Sequence, residues 1–291
     1  MHERDATSND AGREYRERTY LNWERAASGW DRERDFVREA TRPLTRWLVE
    51  ATRPAPGDAV LELAAGPGDT SLELAELVGP TGRVLCTDRS PNMVAAAERE
   101  ARARGLGWVE CRVLDAEQID LPDAAVDVAV CRLALMLMPD PARVLAELRR
   151  VSRADARLGV VVWADPQRNP WATRLWDVLE SRTELPPAQP GGPGMFSLCD
   201  PARLRALLHD AGFRAARVEQ VPVVWSYRSF DHMWGVQTAL NGSLAALVPT
   251  LPDEALAGIR GAVADAMAEF RTAQGGYDLP AVALAVLGTL C

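Results

Sequence analysis

Short apolar runs alternate with helical patterns between residues 59 and 163, and that rhythm restricts the fold more than any other feature of the chain. Residues 59–64 (AVLELA), 83–88 (RVLCTD), 107–113 and 126–131 read as four strands, and residues 158–163 as a fifth. Helix starts lie between them. Ser90-Pro91, Asp140-Pro141 and Asp200-Pro201 each put a capping side chain ahead of a proline at the first helical position. Gly79-Pro80 and Gly212 mark helix ends. Strands that alternate with helices at this pace need crossover connections, so the expectation is an α/β protein with a doubly wound, mostly parallel sheet.

Outside this region the signals differ. Residues 1–18 are polar and charge-dense and read as a loosely attached arm. Residues 31–51 have helical spacing, and Pro43 inside them predicts two short helices or a kinked one. Residues 186–194 read as a proline and glycine loop, and residues 213–226 as one extended stretch. Two helical stretches follow, at about 230–241 and 253–271, and then a last strand at 278–290. Helices placed between two late strands would sit over the end of the sheet as a lid. The expected division is 1–56 (arm and helices), 57–226 with 277–291 (core), and 227–276 (helical lid).

Composition removes several function classes. All 33 basic residues are arginine, so neither a Schiff-base lysine nor a P-loop lysine is available. A net charge of −8 argues against a nucleic-acid partner. No run of 18 apolar residues occurs and the first ten residues are polar, so neither a membrane span nor a signal peptide is expected, and the location is read as cytoplasmic. Cys86, Cys111, Cys131, Cys199 and Cys291 form no CxxC pair, which predicts reduced, buried thiols and no metal site.

The glycine turn after the first strand, Ala64-Ala65-Gly66-Pro67-Gly68-Asp69, would let a ligand approach backbone N–H groups at a helix start. Asp88, at the end of the second strand, is placed to accept the hydroxyls of a ribose. Both features suit a dinucleotide as well as S-adenosylmethionine. Two others discriminate. Ser71 stands where a dinucleotide fingerprint has its third glycine, and Glu62, aimed at the same turn, would repel a pyrophosphate. A sulfonium with an ammonium group welcomes that acid. Asp115, after the third strand, can accept from an adenine amino group.

Residues 58–163 resemble the class I S-adenosylmethionine-dependent methyltransferases. They most resemble the branch similar to ubiquinone/menaquinone C-methyltransferases and small-molecule natural-product methyltransferases. The motifs that carry the resemblance are LELAAGPGDTS, TDRSPNMV, LDAEQIDLPD, VDVAVCRLALMLMPDP and LRRVSRADARLGVVVW. The resemblance implies a seven-stranded Rossmann-like sheet with N-terminal helices and a helical lid before the last strand. It also implies that Glu62 holds the methionine amino group, with Ala64, Gly66 and Gly68 supplying backbone. Asp88 would take the ribose, Arg89 and Met93 would flank the adenine, Asp115 and Ala116 would meet its edge, and Cys131 and Arg132 would line the methionine side. In this branch an aromatic residue closes over the cofactor, a role for Trp23 or Trp30 as against plain core packing. The chain departs from the family at residues 154–157 (ADAR), where Pro-Gly-Gly is common before the fifth strand.

Methyl transfer from a sulfonium needs alignment and exclusion of water more than it needs acid–base groups. Where the acceptor must lose a proton, His232 is the one histidine placed to act as a base, with surface or packing roles as its alternative. Met136, Trp171, Trp225 and Trp234 are candidates for an apolar acceptor pocket, although tryptophans at such spacing also build cores. The expected function is transfer of a methyl group to a small hydrophobic or aromatic molecule, by a monomer or homodimer that uses S-adenosylmethionine and yields S-adenosylhomocysteine. Two other readings stay open: a non-methylating catalyst or binding protein that keeps the cofactor, and a nicotinamide-dependent oxidoreductase.

Overall fold

The computed structural model describes residues 2–183, 192–215 and 217–290, so residues 186–191 of the expected proline and glycine loop and Cys291 lie outside the described residues. The chain enters through α1 (His2–Arg32) and α2 (Arg34–Thr52). The alternating region follows as β1 (Ala59–Leu63), α3 (Asp69–Val78), β2 (Arg83–Asp88), α4 (Pro91–Ala103), β3 (Val109–Val113), β4 (Val126–Arg132), α5 (Pro141–Val151), β5 (Ser152–Trp163) and α6 (Pro170–Arg182). The rest is α7 (Pro201–Asp210), β6 (Phe213–Ala215), β7 (Glu219–Tyr227), α8 (Phe230–Leu240), α9 (Gly242–Leu247), α10 (Asp253–Ala266) and β8 (Tyr277–Leu290).

These strands form one sheet in the order β3-β2-β1-β4-β5-β8-β6, with β7 also paired to β8. The first five strands are mutually parallel, and β8 runs antiparallel to its neighbours. All five residues of β1 are buried, as expected of a central parallel strand covered by helices on both faces. The described residues give eight strands where seven were expected, because residues 213–226 do not make one strand. Ala215 pairs with Gly288 and Glu219 with Ala285, so four steps along this edge span three along β8. The register therefore slips by one residue between β6 and β7.

Three other expectations are corrected. Residues 2–32 form a helix instead of a loose arm, docked from Tyr15 onward, where the tyrosine hydroxyl donates to the Leu137 carbonyl at 3.1 Å. Pro43 does not divide α2; the junction falls at Glu33, and the buried stripe of Val37, Ala40, Leu44 and Leu48 holds the helix through the missing N–H. The fifth strand starts at Ser152, so residues 154–157 lie inside it as a bulge, with Asp155 at φ 64°, a left-handed position that Asp tolerates better than most side chains. The inserted helices α8 and α9 are clamped to α1 by two glycines. A Cβ on Gly29 would lie 2.0 Å from the Ala239 carbonyl oxygen, and one on Gly242 would lie 1.9 Å from that of Asn22. No described helix is long and apolar enough to cross a membrane.

Candidate functional site

The carboxyl ends of β3, β2, β1 and β4 lie side by side, with the strand order reversing between β1 and β4, where an α/β sheet opens a crevice. Glu62 points into this region from β1. It is 1% exposed and accepts a 2.5 Å hydrogen bond from the Ser71 hydroxyl in the first turn of α3. Burial pushes its carboxyl up to about 7, against the opposing pull of Ser71 and the Arg132 charge. Just beyond it, Ala64 and Gly66 both have positive φ (52° and 58°), which turns the backbone outward. A Cβ on Gly66 would meet nothing within 4 Å, so this turn opens onto free space. Gly68 differs: a Cβ there would lie 2.7 Å from the Ala97 Cβ, so its glycine serves the approach of α4.

Asp88 ends β2 and pins both neighbouring turns. One carboxylate oxygen accepts from the Gly66 N–H and the other from the Ser90 N–H, each at 2.9 Å. Burial raises its carboxyl above the usual range, and these bonds offset only part of the rise. Each oxygen keeps a further lone pair for a hydroxyl. Asp115, exposed after β3, accepts from the Glu117 N–H at 2.9 Å and shapes the turn that presents Ala116. Helix α1 lies over these strand ends. Arg16 pairs with Glu117 at 2.6 Å, and Glu24 accepts from the Ser90 hydroxyl and, at 2.6 Å, from the Asn92 amide. Arg89 reaches α1 as well, donating to the Arg16 carbonyl at 3.3 Å with its guanidinium over the Tyr20 ring. Met93 is buried at the start of α4.

On the β4 side Cys131 is fully buried and its thiol is pushed up to about 12 by burial. Arg132 donates to the Thr70 and Thr41 hydroxyls, both at 2.8 Å, and so ties α3 to α2 next to Glu62. Beyond it runs a chain of rings: Trp163 to Trp171 at 5.1 Å, Trp171 to Trp225 at 5.3 Å, Trp225 to Phe36 at 5.9 Å, and Phe36 to both Tyr227 and His232 at 5.1 Å. The Trp225 indole N–H is buried with no partner among the described residues. Met136 is buried and engages residues 194 and 197 through its carbonyl. Trp234 stands apart from this chain, stacked on Phe230 under Arg260. Trp23 and Trp30 meet edge to face at 6.2 Å, and Trp30 donates to the Leu240 carbonyl at 3.0 Å. His232 accepts the Arg228 N–H at Nδ1, 3.2 Å away, which leaves its proton on Nε2. Sequence reasoning missed Phe36, Trp163 and Tyr227. The inward alternation Val221, Val223, Trp225, Tyr227 was the signal that could have found the last.

Residues 54–180 match a protein family described as a methyltransferase domain. The chain is 37% identical over 83 residues to the nocamycin O-methyltransferase of Saccharothrix syringae, covering 28% of this chain and 30% of that protein. Over 76 residues it is 38% identical to the demethylmenaquinone methyltransferase of Geobacillus kaustophilus, covering 26% and 32%. The chain thus spans less than a third of the length of these curated relatives. Residues 54–180 thus carry the likeness to a methyltransferase domain. Beyond this methyltransferase domain the fold itself is shared: the YcgJ protein of Bacillus subtilis superposes with a TM-score of 0.56 at 18% identity, over 84% of this chain and 97% of that one. Glu62, Asp88, Asp115 and Arg132 all fall inside the methyltransferase domain, whereas α1, α2 and β6 to β8 lie outside the match. The site also fits S-adenosylmethionine. A buried carboxyl held near neutrality lacks a full cationic partner, and an ammonium group would restore its charge.

Proposed function

We propose that this chain transfers a methyl group from S-adenosylmethionine to a small, flat, largely hydrophobic acceptor that carries an oxygen. The observation that carries the reading is Glu62, a carboxyl with 1% exposure beside a turn that opens at Gly66. When bound, S-adenosylmethionine supplies an electrophilic methyl group on a sulfonium. Glu62 would hold the methionine ammonium, with the backbone of Ala64, Gly66 and Gly68 alongside. Asp88 would take the ribose hydroxyls, Asp115 and Ala116 the adenine edge, and Cys131 and Arg132 would close the methionine side. Helix α1, with Trp23 and Trp30, and the inserted residues 227–276 would form the cover that excludes water.

The rings of Phe36, Trp171 and Trp225 would hold the acceptor by its flat faces, and the buried Trp225 N–H, unpartnered among the described residues, would turn to a carbonyl or phenol oxygen. His232 enters this reading as a donor through Nε2, since its Nδ1 is engaged by backbone. A base role would require the opposite tautomer. Titration calorimetry tests the cofactor: S-adenosylmethionine should bind the full chain, and Asp88→Ala should weaken it by about 1.5–3 kcal/mol. Unchanged affinity in the variant overturns the ribose assignment, and selective binding of a nicotinamide dinucleotide overturns the cofactor. Binding with no release of S-adenosylhomocysteine across oxygenated aromatic acceptors would turn the reading to a non-methylating catalyst.

A further inference from the structure

Two of the cysteines expected to be buried alike are not. Cys86 on β2 is 2% exposed, while its direct ladder partner on β3, Cys111, is half-buried. Strand β3 is the edge of the sheet, and an open groove of about 520 Å³ runs between it and α4, lined by Glu98, Ala101, Arg102, Gly107 and Cys111 among others. Solvent therefore reaches Cys111 and not Cys86. On its other side the Cys86 sulfur supports the cofactor turn: it lies 3.3 Å from where a Cβ on Gly68 would stand, and it packs with Ala65 and Ala97. A line of contacts thus runs from the groove through Cys111 and Cys86 to the backbone of the glycine turn.

We propose that Cys86 and Cys111 form a thiol–disulfide exchange site whose closure loosens the S-adenosylmethionine turn, the effect on the cofactor resting on the reading above. Directly paired residues on neighbouring strands stand about 4.8 Å apart at Cα, within the range a disulfide accepts, so the strands need not part. The influence of the paired thiols on each other holds Cys86 up and Cys111 down, with burial raising Cys86 further and Arg102 lowering Cys111; the exposed member ionises first. The Cys111 thiolate attacks one sulfur of a small-molecule disulfide, forming a mixed disulfide and releasing one thiolate. Cys86 then gives up its proton and attacks the Cys111 sulfur, closing the Cys86–Cys111 bond and releasing the second thiolate. Two protein thiols are oxidised and the reagent is reduced to two thiols. An S–S bond of about 2.05 Å draws the Cys86 sulfur toward β3 and away from Gly68.

The test treats the full-length reduced protein with oxidised glutathione and follows it by intact mass, peptide mapping and calorimetry. The expected product has lost two hydrogens, maps to a Cys86–Cys111 link, and binds S-adenosylmethionine about tenfold more weakly, with dithiothreitol restoring the reduced affinity. Cys111→Ser should block the link and keep the reduced affinity, while Cys86→Ala should retain glutathione on Cys111. Glutathione that stays on Cys111 in the wild-type protein overturns the exchange, and a link that forms without changing affinity overturns the coupling to the turn. Reduced protein that fails to bind S-adenosylmethionine overturns the methyltransferase reading instead, and the linkage map alone then decides the thiol pair.

Discussion

Glu62 couples pH to stability and to ligand binding through one carboxyl. Burial moves it from 4.5 to about 7, so between those values the native chain keeps a proton that the unfolded chain has released. Stability therefore falls as pH rises through this window, by at most roughly 3 kcal/mol, and the loss is complete above about 7. Urea titrations from pH 5 to 8 should show this decline in the wild type and a flatter profile in Glu62→Gln. A cation bound there demands the ionised form, so S-adenosylmethionine should bind more tightly as pH approaches 7 and release a proton below it. Calorimetry at pH 6 in two buffers of different ionisation enthalpy reads that proton. His232 makes a separate prediction. Burial and the Arg228 charge lower its pKa, so it is neutral above pH 7 and donates from Nε2. His232→Ala should lower turnover and leave cofactor affinity alone; equal turnover would remove His232 from the site.

At the scale of elements, α1 is the piece whose role composition concealed. The charges of residues 1–18 looked like those of a solvated arm, yet Arg16 reaches the turn after β3, and Glu24, farther along the helix, reaches the turn after β2. Its glycine at position 29 is explained by a partner 210 residues away in sequence, since any Cβ there meets the Ala239 backbone. Gly29→Ala should push α1 off α8 at a cost of roughly 1–3 kcal/mol, the range for overpacking. A lowered melting temperature and faster proteolysis within α1 would register it, and an unchanged melt would contradict the close crossing. The helix starts at Ser90, Asp140 and Asp200 were legible because a cap is a local event: each side chain accepts from an N–H two or three residues on. The persistence of α2 through Pro43 was not legible, because packing of its buried stripe outweighs a local rule.

For the whole molecule, β8 is the strand on which the second half of the sheet depends. It pairs with β5 on one side and with β6 and β7 on the other, and it comes last in the chain. A chain ending before Tyr277 would leave three strands without their partner and should lack cooperative unfolding in urea, read by circular dichroism. Preserved cooperativity would show that the parallel half of the sheet folds alone. Substitutions in β3, at the far edge, should be milder.

The chain by itself determined the parallel half of the fold, the glycine turn and the acids at the ends of β1, β2 and β3. Those features follow from side-chain periodicity and turn chemistry, which act over a few residues. Tertiary structure alone decided the division of β6 from β7, the seating of α1 across the strand ends, the ring chain from Phe36 to His232, and the pairing of Cys86 with Cys111. Each of these joins residues from separate elements, and no local pattern encodes the register or crossing that brings them together. Periodicity says which face of an element is buried. Only the packed sheet says against what.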